Sequence, residues 1–190
     1  MKLELGTAQR PYVGEKVSGD AICILQHGEE TLVTVVDGLG HGPKAAEAAN
    51  AFCGFVESNQ FSNLEEIMLG ATKDIARTRG AVAALIRING QEDSMCFCGV
   101  GNIELQALSR HPIRPVCTPG IVGRPIRKVL SFSYEMLPGD LMVVHTDGIS
   151  SRFDLDSYRH LDTPEAMAEA ILSEHGKNHD DATCVVFRCV

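Results

Sequence analysis

Four aspartates, Asp20, Asp37, Asp147 and Asp180, each lie where an apolar run of strand length meets a turn. Asp37 and Asp147 follow such runs and precede a glycine, whereas Asp20 and Asp180 come just before one. Carboxylates gathered at the mouth of an apolar sheet repel one another and resist ionising. A hard divalent cation, which binds oxygen ligands, relieves that repulsion. The sequence therefore predicts a sheet with a cluster of acidic residues at the ends of its strands, where a metal ion can bind.

A single Asp-Gly pair is also an ordinary turn former, because both residues tolerate the dihedral angles of tight turns. The metal hypothesis rests on the set of three strand ends. Val33–Val36 and Leu141–Thr146 both end in Asp-Gly, and Asp180-Asp181 opens a third run. Three acidic strand ends side by side are costly without a cation. Cations shared by carboxylates lower the pKa of a bound water until it can attack phosphorus, so the pattern favours a metal-dependent phosphate-ester hydrolase.

Length and charge limit the other classes of function. The 190 residues fit one domain, spanning residues 1–190. A net charge of −8 argues against nonspecific nucleic-acid binding. No apolar run approaches the roughly 20 residues of a membrane span, and the N-terminus lacks the pattern of a signal peptide. We therefore expect a cytoplasmic protein with no membrane or nucleic-acid partner.

The seven cysteines are an odd number spread along the chain. Without a secretory signal, reduced thiols are expected rather than a disulfide framework. Cys96 and Cys98 would share one face of a strand, but no second Cys/His cluster offers the further ligands of a zinc site. Buried, inert thiols are the favoured interpretation.

Two helices follow an N-terminal hairpin in the predicted element order. Apolar runs at 21–26 and 31–36 flank His27-Gly28-Glu29-Glu30, which indicates a hairpin. A helix is predicted to begin at Pro43, since proline at the first helical position misses no hydrogen bond. The segment Ser62-Asn63-Leu64-Glu65 fits a capping box and predicts a second helix ending near Gly80.

The rest of the chain is predicted to consist mainly of strands. Strands are predicted at 81–88, 94–100, 103–108, 141–146 and 182–189, and a helix capped at Thr163-Pro164 is predicted to stop near Gly176. Residues 109–128, rich in Pro, Gly and Arg, are predicted to have little regular structure. Hairpins outnumber βαβ units, so we expect an α+β fold with mostly antiparallel sheets and helices outside.

The acidic motifs also occur in a recognisable order along the chain. That order resembles the PPM family of metal-dependent serine/threonine phosphatases, in its small, SpoIIE-like bacterial branch. The resemblance runs from about residue 18 to residue 186 and implies a four-layer α-β-β-α sandwich with two mainly antiparallel sheets. The motifs that carry it are Ser18-Gly19-Asp20, Asp37-Gly38-Leu39-Gly40-His41-Gly42, Arg79-Gly80-Ala81-Val82-Ala83, Cys98-Gly99-Val100-Gly101-Asn102, Gly120-Ile121-Val122-Gly123, Thr146-Asp147-Gly148 and Asp180-Asp181-Ala182-Thr183.

The resemblance implies a site with two Mn²⁺ or Mg²⁺ ions. Asp37 would bridge them, Asp147 and Asp180 would complete the first metal site, and Asp20 with the carbonyl of Gly38 would complete the second. Asp37, Asp147 and Asp180 are accordingly the expected catalytic residues. The implied reaction is direct in-line attack of a metal-held water on phosphoserine or phosphothreonine, with no phosphoenzyme.

Within this branch, the chain resembles the free-standing, RsbX-type phosphatases of the stressosome. The implied substrates are phosphorylated STAS-domain proteins of the stressosome (RsbR- and RsbS-like), whose dephosphorylation would reset a stress response. Two alternatives stay open. One is a phosphatase of the same type that acts on another phosphorylated anti-sigma antagonist. The other is a non-catalytic binding module that keeps the fold, against which the four intact aspartates speak.

Three further polar residues lie beside the acidic motifs. His41, four residues after Asp37, could donate a proton to the leaving serine oxygen, although a capping or solvated position in the Gly-rich turn is the simpler interpretation. His145, inside an apolar run, is expected to be a hydrogen-bonded core histidine. Asp181 is left as a turn residue or a neighbour of the ligands.

The positive charges are placed unusually. Larger animal members of the family bind the substrate phosphate with an arginine shortly before the first metal carboxylate. The corresponding residues 14–17 of this chain contain no arginine, and Lys16 is their only basic residue. Residues 109–134 contain five Lys and Arg residues and no Asp or Glu. That segment could dock an acidic partner surface, or it could be a solvated loop.

Overall fold

The computed structural model describes residues 1–190, which form nine strands, three α-helices and one short 3-10 helix. The helices are α1 (Pro43–Ser58), α2 (Leu64–Asp74) and α3 (Pro164–His175), and the 3-10 helix is Leu155–Tyr158. The strands are β1 (Leu3–Arg10), β2 (Asp20–His27), β3 (Glu30–Gly38), β4 (Ala81–Asn89), β5 (Ser94–Val100), β6 (Glu104–Leu108), β7 (Ser131–Glu135), β8 (Leu141–His145) and β9 (Ala182–Cys189).

The strands form two sheets that pack face to face. One sheet has the order β2-β3-β4-β5-β7 and the other β1-β9-β8-β6, and all neighbouring strands are antiparallel. Helices α1 and α2 cover the outer face of the five-stranded sheet, and α3 covers the outer face of the other. This four-layer α-β-β-α arrangement confirms the predicted fold.

The continuous apolar run of β3 follows from burial on both of its faces. Val33 and Val35 pack between the two sheets, whereas Leu32 and Val36 pack beneath α1 and α2. Successive side chains of a strand point to opposite faces, so a central strand covered on both sides needs no polar alternation. The run therefore ends where burial on both sides ends, at Asp37.

The start and end of α2 differ from the prediction. Its N-cap is Asn63, whose side chain accepts a 2.8 Å hydrogen bond from the Glu66 N–H, so the predicted capping box of Ser62 and Glu65 is wrong. The helix ends at Asp74 and does not continue to the vicinity of Gly80. The last helical bond is the 3.0 Å bond from the Ile75 N–H to the Ala71 carbonyl, because the next donor, the Ala76 N–H, turns to the Lys73 carbonyl.

The other two helices begin where the sequence predicts. Pro43 is the first residue of α1, and α3 begins at Pro164 after Thr163, whose hydroxyl accepts a 3.2 Å hydrogen bond from the Ala166 N–H. The short side chains of Ala46 and Ala49 are buried in α1, which brings this helix close to the sheet.

The sequence analysis missed two strands, β1 and β7, which are each an edge strand of a sheet. Both carry a period-2 pattern that could have been found: Leu3 and Leu5 in β1, and Phe132 and Tyr134 in β7, pack into the layer between the sheets. Residues 109–128 contain no helix or strand, as predicted, and only isolated bridges involve them.

Two further properties bear on the sequence-based expectations. None of the seven cysteines forms a disulfide bond. The chain has no helix with the length and apolar character needed to cross a membrane.

Candidate active site

The strand register brings the four aspartates to one end of the sandwich. Asp20 at the start of β2 lies directly opposite Asp37 at the end of β3. In the other sheet, β8 ends and β9 begins side by side, and the Thr146 N–H donates a 3.0 Å hydrogen bond to the Thr183 carbonyl. Asp147 and Asp180 therefore leave the second sheet at the same end.

A cavity of about 430 Å³ opens between these strand ends. Asp37, Asp147 and Asp180 line it, together with the backbone of Gly40 and Gly101. The other two expected ligands, Asp20 and Gly38, are buried and do not line it. The structure thus places three of the expected residues around one open volume and the other two in the protein interior beside Asp37.

Asp20 is 5% exposed and joins the two sheets. Its Oδ2 accepts a 2.8 Å hydrogen bond from the Thr146 hydroxyl, and its Oδ1 is buried without a partner. Burial raises the pKa of Asp20 to about 7, although the hydrogen bonding of its carboxylate opposes the shift. An unsatisfied buried carboxylate oxygen is costly, and it is a suitable ligand atom for a hard cation.

Asp37 is half-buried and has the largest shift among the aspartates. Burial, and then the charges of Asp20, Asp147 and Asp180, raise its pKa to about 9. The predicted repulsion between strand-end carboxylates is therefore present, and it centres on Asp37. A group that loses its charge so readily is stabilised as an anion when a cation lies beside it.

No three His, Cys, Asp or Glu side chains are gathered closely enough to hold a metal ion as they stand. The carboxylates are directed instead to hydrogen-bond donors of the protein. Asp147 Oδ2 accepts from the Asn102 amide at 2.8 Å, and Asp180 Oδ1 accepts from the Asp181 N–H at 3.0 Å. The donor set consists of carboxylate and carbonyl oxygens, which suits Mg²⁺ or Mn²⁺, and the orphan Oδ1 of Asp20 fits such a ligand role.

Two residues that the sequence analysis did not assign to the site hold Asp147 in place. Asn102, in the turn after β5, bonds its carboxylate, and the Lys177 amine donates to its main-chain carbonyl at 2.5 Å. Asn102 belongs to the motif at 98–102, so its position there is the signal that could have identified it. Nothing in the local sequence distinguishes Lys177, because a 2.7 Å hydrogen bond from its N–H to the distant Gly148 carbonyl holds it beside Asp147.

Asp181 anchors the segment that precedes β2. It is 2% exposed, and its Oδ1 accepts a 2.8 Å hydrogen bond from the Tyr12 N–H. Of the two roles that the sequence allowed it, the structure supports a buried neighbour of the expected ligands. Its Oδ2 is buried without a partner as well.

Gly38 was predicted to bind a metal through its main-chain carbonyl, but the structure shows a separate steric reason for a glycine at this position. A Cβ added there would lie 2.1 Å from the Ala45 carbonyl oxygen. The glycine therefore lets the first turn of α1 approach the end of β3. That contact fixes the strand end that carries Asp37.

His41 lines the cavity and is held by two residues of the segment before β2. Its Nδ1 lies 2.8 Å from Glu15 Oε1, and its ring stacks on Tyr12 with centroids 4.6 Å apart. Because Gly42 is the N-cap of α1 and no side chain caps that helix, His41 has no capping role. An oriented imidazole at the cavity is suited to proton transfer.

His145 is a hydrogen-bonded core histidine, as predicted. It is 1% exposed, and its Nδ1 lies 3.0 Å from the Thr146 carbonyl oxygen, which can only accept, so Nδ1 carries the proton. Burial lowers its pKa. It is not a residue of the cavity.

The basic residues of 109–134 do not share one surface. Arg110 lines a separate cavity with Arg159, beyond the end of β6 that is opposite to the aspartates. Arg124 donates hydrogen bonds to the carbonyls of Gly123, Thr78 and Arg79 and so fixes the chain after α2. Arg110 therefore lies away from the aspartates, whereas Arg124 keeps its charge beside Arg79, and docking of an acidic partner by this segment stays a prediction.

The comparisons with known proteins agree with this geometry. The family model described as "Stage II sporulation protein E (SpoIIE)" matches residues 27–190. Among curated proteins, "Phosphoserine phosphatase RsbX" of Bacillus subtilis (strain 168) is 29% identical over 141 residues, which cover 72% of this chain and 70% of that protein.

Solved structures resemble the whole fold. A structure described as "The bacterial stressosome: a modular system that has been adapted to control secondary messenger signaling" is 34% identical, with a TM-score of 0.94, and covers 99% of this chain and 100% of that one. A "Crystal structure of RsbX in complex with magnesium in space group P1" is 23% identical, with a TM-score of 0.88 and coverage of 99% and 96%. The second likeness supports the fold.

Proposed function

The chain belongs to the SpoIIE family and is a phosphatase, and from that premise we propose that it removes phosphate from phosphoserine or phosphothreonine of STAS-domain proteins in the stressosome. The observation that carries the proposal is the cavity lined by Asp37, Asp147 and Asp180 at the junction of the two sheets. The domain that performs this function spans residues 1–190, and its place of action is the cytoplasm.

Two Mn²⁺ or Mg²⁺ ions are proposed as the cofactors. Asp37 would be shared between them, Asp147 and Asp180 would hold one, and Asp20 with the Gly38 carbonyl would hold the other. The raised pKa of Asp37 and the unsatisfied Oδ1 of Asp20 support this assignment. When bound, such cations activate a water and offset the negative charge of the phosphoryl group.

The protein's own groups orient the site and move the leaving-group proton. Asn102 and Lys177 keep Asp147 at the cavity. The Thr146 hydroxyl holds Asp20 across the two sheets. His41, oriented by Glu15, is the proposed donor of the proton that the serine oxygen needs as it leaves.

The proposed substrate class rests on the relatives. The curated relative is a phosphoserine phosphatase, and the solved structure with 34% identity belongs to a study of the bacterial stressosome. A partner of that kind is a folded phosphoprotein. The cavity is open at the surface through the exposed residues Gly40 and His41, which suits a phosphorylated side chain presented by such a partner.

The experiment measures phosphate release from a phosphorylated STAS-domain protein. We expect release with Mn²⁺, none with EDTA, and loss of about a thousandfold or more for Asp37→Asn, since the shared carboxylate is removed. Asp74→Asn, at the exposed end of α2, is the matched control and should keep full activity. If the rate of phosphate release is the same with EDTA and in the Asp37→Asn variant as in the Mn²⁺-loaded wild type, the metal-dependent mechanism is refuted.

Side-by-side turnover separates the alternative substrates. Faster release from a different phosphorylated anti-sigma antagonist would replace the STAS proteins as the substrate and keep the chemistry. A non-catalytic module would release phosphate from neither protein and would gain no thermal stability from Mn²⁺.

A further inference from the structure

The phosphate of a substrate needs positive charge from the protein as well as from any cation. The cavity is lined by three aspartates, which repel a phosphate dianion. Lys16, the one basic residue in the segment before β2, is exposed, does not line the cavity and forms no ion pair. The phosphate-binding residue has to be sought elsewhere around the cavity.

Arg79 is not one of the lining residues, but it lies directly against Gly40, which lines the cavity at its rim. A Cβ added to Gly40 would lie 2.7 Å from Arg79 Nη1, so the guanidinium occupies the space that a side chain there would take. Gly40 lines the cavity and has a φ of +89°, a conformation that favours glycine. The fold thus brings an arginine from the segment just before β4 to the turn that follows Asp37.

The guanidinium of Arg79 has no partner within the protein. Arg79 is exposed, forms no salt bridge and donates no side-chain hydrogen bond. Of the other basic side chains beside the cavity, His41 pairs with Glu15 and the Lys177 amine bonds the Asp147 carbonyl, whereas His179 lines the cavity without a partner. Arg79 therefore offers the one unpaired guanidinium beside Gly40, and a guanidinium stays charged at any pH of interest.

The backbone around Arg79 is fixed although its side chain is free. The Leu39 N–H donates a 3.0 Å hydrogen bond to the Gly80 carbonyl, which ties this segment to the turn after Asp37. Arg124 donates a 3.1 Å hydrogen bond to the Arg79 carbonyl. A fixed backbone reduces the entropy lost when the side chain binds a ligand.

We propose that Arg79 binds the phosphoryl oxygens of the substrate, in place of the arginine that is absent before β2. The planar guanidinium can donate two parallel hydrogen bonds to a phosphate. Arg124 acts as a positioning residue, since it holds the main chain of Arg79. The inference rests on the proposed function and names a substrate-binding residue of the same cavity.

Two measurements on the Mn²⁺-loaded protein test this role. Steady-state kinetics with a phosphoserine substrate and calorimetry with inorganic phosphate are compared for wild type, Arg79→Ala, Arg79→Lys and Arg77→Ala. Arg77 is exposed, lies two residues away and forms no polar side-chain contact, so it is the matched control. Melting temperatures confirm that all the variants are folded.

For Arg79→Ala we expect the KM and the Kd of inorganic phosphate each to rise about ten- to a hundredfold. Arg79→Lys should restore part of the loss, as a point charge without the guanidinium fork, and Arg77→Ala should match wild type. If Arg79→Ala binds phosphate as tightly as Arg77→Ala, the inference is overturned while the phosphatase function stands. If phosphate binding depends on Arg79 but wild type releases no phosphate, the proposed function fails and the binding site remains.

Discussion

The Thr146 hydroxyl donates a 2.8 Å hydrogen bond to Asp20 Oδ2, and this bond joins the two sheets at the candidate active site. The same hydroxyl accepts a 3.1 Å hydrogen bond from the Thr183 N–H. Both Thr146 and Thr183 are fully buried. One side chain of the four-stranded sheet therefore fixes a proposed metal ligand of the five-stranded sheet.

Thr146→Val should destabilise the protein and weaken Mn²⁺ binding. The change keeps the shape of the side chain but leaves Asp20 Oδ2 and the Thr183 N–H buried without partners, at a cost of about 2 kcal/mol or more. Chemical denaturation and Mn²⁺ titration measure the two effects. Thr72→Val is the control, because the Thr72 hydroxyl bonds only the Met68 carbonyl of its own helix. Equal stability of the two variants would contradict the bridging role.

The metal-free protein should lose stability as the pH rises from about 5 to about 9. An unfolded aspartate titrates near 3.9, whereas the pKa is about 7 for Asp20 and about 9 for Asp37 in the folded chain. Over this range the folded state binds more protons than the unfolded state, so the free energy of unfolding falls with pH.

Thermal unfolding in EDTA across that pH range measures the effect. Asp37→Asn should be more stable than wild type at pH 8 without metal, because it removes the carboxyl with the most strongly raised pKa. Mn²⁺ should stabilise wild type more at pH 8 than at pH 5.5, since binding releases these protons. Parallel pH profiles for wild type and Asp37→Asn would show that Asp37 does not cause the slope.

Asn102→Ala should lower the affinity for Mn²⁺ about 10- to 100-fold, because the Asp147 carboxylate loses the group that orients it. Metal titration followed by calorimetry measures the affinity directly. Asn59→Ala is the control. The Asn59 amide, just after the C-terminal end of α1, donates only to the Phe55 carbonyl of that helix. An unchanged affinity in Asn102→Ala would mean that the hydrogen bond does not orient Asp147 for the metal.

His41→Ala should slow hydrolysis of phosphoserine by about a hundredfold or more, because a serine alkoxide needs a proton to leave. It should change the rate with p-nitrophenyl phosphate much less, because nitrophenolate leaves without one. Glu15→Gln, which weakens the hold on His41 Nδ1, should give a smaller effect of the same kind. Equal losses with both substrates would assign His41 to phosphate or substrate binding instead of proton donation.

The local elements of the fold were predictable from short patterns. The β2–β3 hairpin, the proline start of α1, the Thr163 cap of α3 and the final strand β9 depend on residues within a few positions of each other. Both ends of α2 were predicted wrongly: Asn63 rather than Ser62 caps it, and it ends at Asp74 instead of near Gly80. The edge strands β1 and β7 were missed although their alternation was visible.

The sequence by itself determined that Asp20, Asp37, Asp147 and Asp180 lie at the ends of strands, because each adjoins an apolar run of strand length. Only the tertiary structure decided which distant groups surround those carboxylates: Thr146 on Asp20, Asn102 on Asp147, Glu15 on His41 and Arg79 on Gly40. The three hydrogen-bonded pairs among these contacts join residues that are 26 to 126 positions apart along the chain. They depend on strand register and on the packing of two sheets, which no local pattern of side chains encodes.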